Sequence, residues 1–410
     1  MNKLILSLIL FFAISIASFA STKDSVSYTA GYANDVYYSM STGVVKTIPR
    51  ATWDIAFGTS NMSSSIIIND GSGVELYTYP TSDTSGWNSF DTTGYSSWTA
   101  MYNSEISWEE GAFSQNASGH PDYGWANYNS VTHNLVGDSL FLIKTINGDF
   151  KKLWIISKQS AANIYTYRFA DVDGSNDTTV VFDVNAYTSK NFVYYSLDTR
   201  QILDRDPDTD SWDILFTKYV GAQPQGGFYP VTGVLSNNNV EVATATLIDT
   251  SLVNWSDYTM TDNKANIGWD WKSFNMSTFT YEVADSQAYF VQDIFGDVYK
   301  LIFTGFVGSS NGNVYFTKSL LSNVGINNIT KTNEFAVYPN PAENYIQLDF
   351  TGNTLSNASV TLYDLSGKMV FTKAIHDSSE RLNLSEFNSG FYLLQIQNNA
   401  QIYTQSLIIK

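Results

Sequence analysis

Cysteine is absent from all 410 residues, which removes disulfides, thiolate metal sites, cysteine nucleophiles and the thiol a lipid anchor needs. A chain without staples must stand on its core, and this one is long enough for two or three domains. Charge is sparse at 15%, and 39 Asp+Glu outnumber 22 Lys+Arg. So acidic a chain, with no basic stripe, repels phosphate backbones and excludes nucleic acid as a partner. Histidine is down to 3. There is no Gly-x-Ser-x-Gly, no His-Glu-x-x-His, no P-loop and no dinucleotide fingerprint, and no local pattern marks a pair of catalytic carboxylates. The chain therefore reads as non-enzymatic, with a secreted glycan hydrolase as the lesser alternative. Beyond the first 20 residues no run approaches the roughly 18 apolar residues of a helical span, so the mature chain carries no transmembrane segment.

What the chain does have is aromatic side chains: 27 Tyr, 25 Phe and 10 Trp, 15% in all, set among many Ser, Thr, Asn and Gly. That mixture favours strands and turns and predicts an all-β fold. The N-terminus opens Met1-Asn2-Lys3, runs apolar from Leu4 to Phe19 and reaches Ser18-Phe19-Ala20. A basic start, an apolar core and small residues at −3 and −1 read as a signal peptide over residues 1–20, cut after Ala20. The route is then through the periplasm to a secreted or surface-attached product.

Internal repetition organises the rest. Tyr37-Tyr38-Ser39-Met40 returns as Tyr194-Tyr195-Ser196-Leu197, and Trp53-Asp54-Ile55-Ala56-Phe57 as Trp212-Asp213-Ile214-Leu215-Phe216. Gly124-Trp125 answers to Gly268-Trp269, Val136-Gly137-Asp138-Ser139 to Val283-Ala284-Asp285-Ser286, and Gly148-Asp149 to Gly296-Asp297. Landmarks kept in one order predict a duplication with copies over 21–176 and 177–321, followed by a linker over 322–334. In each copy, strands around the Gly-Asp turn read as a hairpin. Trp53 and Trp212 are expected on an inward strand face with Ile55 and Phe57, or Ile214 and Phe216, and Asp54 and Asp213 on the other side, capping a turn or bonding a neighbouring backbone. The long polar connections Pro80 to Asn103 and Gly221 to Asn239 are where a ligand site would lie.

Residues 335–410 form a different module of short strands and turns, predicting a small Ig-like β-sandwich. It carries Val337-Tyr338-Pro339-Asn340-Pro341, then Leu362-Tyr363-Asp364-Leu365-Ser366-Gly367-Lys368, then Ser389-Gly390-Phe391-Tyr392-Leu393-Leu394, and ends Leu407-Ile408-Ile409-Lys410. These motifs resemble the type A sorting domain of the type IX, or Por, secretion system. The resemblance makes the secretion machinery a partner through Tyr338, Pro339, Asn340, Pro341, Gly367, Lys368, Gly390, Tyr392 and Lys410. It implies passage across the outer membrane and removal of the module on release or surface attachment.

The repeated unit resembles the HmuY-like family of exported haem-binding proteins, on Val36-Tyr37-Tyr38-Ser39-Met40-Ser41-Thr42-Gly43 and Trp53-Asp54-Ile55-Ala56-Phe57. The fold this implies is two tandem HmuY-like β domains. The family holds haem through His or Met side chains, and copy one offers Met62, Met101, His120 and His133 in the corresponding region, with Met101 and His133 the candidate axial pair. Copy two has no histidine there, only Met260 and Met276. His120 before Pro121 also reads as an exposed turn residue and Met101 as a gap-filler in a core, and no bound cofactor is expected. Acidic loops at Asp204, Asp206, Asp208 and Asp210 and at Asp171 to Asp177 offer oxygens for Ca²⁺ but lack the EF-hand pattern, so solvated turns are the plainer reading. The sequence thus points to an exported binding protein for haem, another hydrophobic ligand or a glycan, with a structural or adhesive surface protein as the alternative.

Overall fold

The computed structural model describes residues 21–246, 248–250, 253–322, 335–350, 358–364, 368–398 and 401–410. The signal peptide and nearly all of the linker lie outside them. The chain divides into two compact units, one ending at Ser322 and one beginning at Asn323. Both are built from antiparallel sheets, with short 3₁₀ turns in the first, so the fold is all-β.

The first unit holds two β-sandwiches, and each borrows strands from the other repeat. In sandwich one, a sheet ordered Gln201–Leu203, Phe192–Ser196, Ile55–Gly58, Ile66–Ile68 packs on a larger one containing Thr178–Asp183, Ile164–Asp171, Phe150–Gln159, Phe141–Lys144 and Glu75–Thr78. In sandwich two, the order is Phe228–Ser236, Ile214–Ala222, Asn34–Ser39, Gly43–Pro49. It packs on Thr22–Ser27, Asn313–Ser322, Val298–Phe306, Gln287–Gln292 and Glu241–Thr246. The Tyr-rich strand of repeat one therefore pairs with the Trp-Asp strand of repeat two, and the reverse. The registers match: Ile55 faces Tyr195 and Ile214 faces Tyr38.

The repeats are thus equivalent in topology, but the boundary at 176/177 is not where the sheets divide. Ile164–Asp171 and Thr178–Asp183, on either side of it, are paired neighbours in one sheet. One core gathers Ile55, Phe57, Phe141, Tyr167, Phe182 and Tyr195; the other gathers Val26, Tyr38, Ile214, Phe216, Tyr289 and Phe316. Sandwich one is continuous over 55–203, while sandwich two joins 22–49 to 214–322. Gly148 and Gly296 hold the same place in the two, each at a φ near +90° in a turn closed by an N–H donating three residues back, to Thr145 and Asp293. A side chain at either would be strained, which is why the Gly-Asp pair recurs.

The tail unit has sheets ordered Phe335–Tyr338, Tyr345–Phe350, Ser379–Asn383 and Met369–Ile375, Ala358–Tyr363, Gly390–Asn398, Gln401–Ile409. Alternate residues Ile346, Leu348, Val360, Leu362, Leu394 and Ile396 are buried between them, as period-two patterning requires.

Candidate functional site: the seam between the sandwiches

The Trp-Asp motif shows how the seam is made. Asp54 is fully buried and accepts the N–H groups of Ile146 at 2.8 Å and Leu197 at 2.7 Å; Asp213 accepts that of Met40, the equivalent of Leu197, at 2.6 Å. Each aspartate thus clasps the end of the other repeat's Tyr strand, the backbone role anticipated for it. The tryptophans depart from the expected alternation. The strands begin only at Ile55 and Ile214, after the Asp, so Trp53 packs with Ala56 and Tyr194, and Trp212 with Leu215 and Tyr37, on the faces turned away from the two main cores. The outer faces of the exchanged sheets then meet. Trp271, not Trp269, is the second sandwich's counterpart in the core to buried Trp125.

At this junction the repeat-related tyrosines Tyr37 and Tyr194 both donate to Asp206, at 2.5 Å each. Burial pushes the Asp206 carboxyl up, against the pull of those two hydroxyls. Beside it Arg205 and Arg50 hold Asp35, at 3.0 and 2.7 Å. Gly71 brings the 3₁₀ turn of sandwich one against the backbone of sandwich two: a Cβ there would lie 1.8 Å from the Lys218 carbonyl oxygen. Trp108, from an irregular segment of repeat one, fills the gap. Its ring packs on aromatic groups from both sandwiches, its indole N–H donates to the Ser236 carbonyl at 2.8 Å, and the Lys264 ammonium sits 4.2 Å from its ring centre.

Two cavities flank this segment. An inner one of about 70 Å³ lies between the exchanged sheets, walled by Trp53, Arg205, Tyr219 and Lys264. An outer cleft of about 680 Å³ carries the rings of Tyr102, Tyr123 and Phe228 and the acids Glu105, Glu109, Glu110 and Asp122. Asn103, Ser104 and Glu105 belong to both walls. The polar connections singled out in the sequence do meet here: the Tyr102 and Phe228 ring centres are 4.6 Å apart. The acceptors in the cleft are fixed in place. Ser63 donates to Glu109 at 2.6 Å, the Ala222 N–H to Glu105 at 2.8 Å, and Ser118 and Gly124 hold the Asp122 carboxyl below its usual range.

The sequence-derived haem pair is not drawn together. Met101 is buried in the core of sandwich one, its sulfur accepting from the Thr78 hydroxyl at 2.9 Å, whereas His133 stands in an exposed turn with Nδ1 2.6 Å from the Tyr128 hydroxyl. His120 and Met62 line the outer cleft. Of the acidic runs, Asp206 points inward as described, while Asp204 pairs with Lys190 and Asp208 with Ser189. Asp171 pairs with Lys151 and Asp177 with Arg168. Among the described residues no three acidic or histidine side chains form a metal-binding group. Nothing local in the sequence marks Trp108 or Lys264; the one signal for Arg205 is its place between two aspartates, at Asp204-Arg205-Asp206.

In the tail, the two ends of the sorting motif are joined. The Asn340 side chain accepts the Ile408 N–H at 3.0 Å, and Ala342 exchanges backbone bonds with Ile408 and Lys410, at 2.7 and 2.8 Å. Pro339 and Pro341 flank that asparagine just beyond the strand ending at Tyr338, whose hydroxyl reaches Asp349. Lys368 and Asp364 exchange hydrogen bonds, Gly390 begins a strand, and Tyr392 donates to the Asn388 carbonyl; Gly367 lies outside the described residues.

Residues 336–410 match the family of the Por secretion system C-terminal sorting domain. The chain thus ends in a type IX sorting domain, which marks a secreted or cell-surface protein. No curated protein matches the sequence. Among solved structures, PorZ, an essential bacterial surface component of the type-IX secretion system of Porphyromonas gingivalis, aligns at 10% identity over 69% of this chain and 44% of its own, with a TM-score of 0.18. Dimeric latent PorU from Porphyromonas gingivalis aligns at 10% identity over 82% and 34%, with a TM-score of 0.16. This chain therefore spans less than half the length of either, and TM-scores so low fall short of a shared fold.

Proposed function

We propose that the tail delivers a two-sandwich binding protein to the cell exterior, where its outer cleft holds a neutral glycan. The supporting observation is the cleft's lining. Aromatic faces from Tyr102, Tyr123 and Phe228 offer stacking surfaces for sugar rings, and carboxylates already anchored by protein donors offer acceptors for sugar hydroxyls. Both repeats contribute, since Phe228 comes from the second and the other lining groups named from the first. The test is binding of the full mature chain to a glycan array and calorimetry with the best responder. Tyr102→Ala and Phe228→Ala should each weaken binding by about tenfold, the worth of one stacked ring. A flat array would sink the reading, and a sharp Soret band on titrating haemin would replace it with the haem one. Since four acids share the cleft, a glycan hydrolase is the second reading; release of reducing ends from the bound glycan would establish it.

A further inference from the structure

We propose that the hairpin of Lys272–Asn275 and Thr280–Val283 carries a lipid-contacting apex, whose side chains dip into the interface of a zwitterionic bilayer. The two strands form a sheet of their own in sandwich two, paired from Lys272 with Val283 to Asn275 with Thr280. At the apex Met276 is 72% exposed and Phe279 74%, with Phe274 behind them at 45%. Hairpin tips ordinarily carry polar turn residues, and another in this sandwich runs Gln223-Pro224-Gln225-Gly226-Gly227. Phe279 goes further against local preference. Its φ is +55°, a left-handed conformation that suits Gly or Asn and strains a bulky residue. A strained aromatic ring left in water adds nothing to the fold, so its use lies in what it meets outside.

The chemistry of the apex matches lipid. From Ser273 to Tyr281 no residue is charged, in a chain with 39 Asp+Glu. Lys272 is turned inward, its ammonium donating to the Thr232 carbonyl at 2.6 Å and lying over the Trp271 ring. The donors of the tip are met from within. The Asn275 side-chain oxygen accepts the N–H groups of Ser277 and Thr278 at 2.8 and 3.2 Å, and its carbonyl accepts that of Phe279 at 2.8 Å. The Thr278 and Thr280 hydroxyls bond each other at 2.7 Å. A protein groove can supply acceptors to a docking loop, but a bilayer cannot, and a segment that enters one must satisfy its own donors. The apex is one hairpin wide and convex, so it offers a second copy little flat area to bury, whereas a fluid interface closes around it. Behind it the rings of Phe274, Tyr281, Phe306 and Trp271 follow one another with centres 5.0, 4.7 and 5.7 Å apart, which mounts the apex on the core. The net charge of −17 selects among lipids: it repels an anionic surface and leaves a zwitterionic one open. A few side chains at this depth give reversible contact, suited to a secreted or cell-surface protein.

The absence of cysteine makes the test direct. In the full mature chain Met276→Cys takes a single environment-sensitive fluorophore at the apex, and Val131→Cys, 86% exposed in sandwich one, takes it elsewhere. Phosphatidylcholine vesicles should brighten and blue-shift the first label and leave the second unchanged. Phe279→Asn suits the left-handed backbone, so it should keep or raise the thermal midpoint while weakening co-flotation of the unlabelled chain with the vesicles by about tenfold. Met276→Ser should weaken co-flotation by a similar factor. No response of the apex label up to millimolar lipid, undiminished co-flotation in Phe279→Asn, or a response that needs anionic lipid and vanishes in salt would each overturn the proposal. Brightening of the apex label with protein concentration alone, in the absence of lipid, would overturn it in favour of a second copy. None of these readouts involves the outer cleft, so glycan binding there stands or falls separately.

Discussion

Replacing Asp54 with alanine should unlatch sandwich one while leaving sandwich two closed. The carboxylate holds two backbone N–H groups, of Ile146 in its own repeat and of Leu197 143 residues away in the other. Alanine is too short to meet either, and each buried orphan costs about 1–3 kcal/mol, so the gross loss is about 4 kcal/mol. Part of this is returned, because burial raises the Asp54 pKa and the charged form is held at a cost in the folded state. The net expectation is about 3 kcal/mol, a large fraction of an ordinary domain's stability. Since two sandwiches need not unfold in one step, hydrogen exchange resolved by segment is the suitable assay. Protection should fall in Phe150–Gln159 and Phe192–Ser196 and persist in Val298–Phe306. Asp213→Ala should do the converse through Met40. A loss below about 1 kcal/mol, or one spread evenly over both sandwiches, would refute the clasp.

Three other outcomes are expected. A fragment spanning 53–204 should fold alone, because both sheets of sandwich one lie within it, whereas 21–176 should not, because it lacks Thr178–Asp183 and Phe192–Ser196; circular dichroism and thermal melting compare them. Burial pushes Asp70 from 3.8 up to about 6, so its neutral form favours folding; that contribution is full below about pH 4 and lost as pH rises through 6. Asp70→Asn should therefore gain on the wild type by about 3 kcal/mol between pH 4 and pH 7 in urea titrations, and parallel profiles would contradict it. Deleting residues 335–410 should leave the rest folded but retained in the periplasm, read by fractionation; normal surface display of the truncated chain would remove the sorting role.

The period-two and turn signals carried most of the architecture. Alternation in Ile164 to Phe169 and the recurrent Gly-Asp turns are local facts, and the strands and hairpins followed from them. Pairing across repeats was invisible because Tyr38 can meet either Ile55 or Ile214 with the same chemistry, and nothing local distinguishes the two. The same blindness hid the seam. Extending strand alternation through Asp54 puts Trp53 on the face of Ile55 and Phe57; it is buried, but on the opposite face, because the chain bends at that aspartate before pairing begins. The two polar connections were visible as long and irregular. That Tyr102 and Phe228 would face one another depended on the exchange.

The exchange also orders events in time. Thr22–Ser27 pairs with Asn313–Ser322, and the edge of Asn34–Ser39 not taken by its neighbour Gly43–Pro49 pairs with Ile214–Ala222, so the first strands to emerge from an exporting pore are among the last to complete their sheets. Sandwich one can close as soon as residue 203 has passed. The leading segment must meanwhile wait as one unpaired strand, Thr22–Ser27, and a hairpin of Asn34–Ser39 with Gly43–Pro49 whose free edge is open to any passing sheet edge. A chain built this way needs protection at its front end during transit. Its most vulnerable moment falls after the first half has folded and before the final strand of the second arrives.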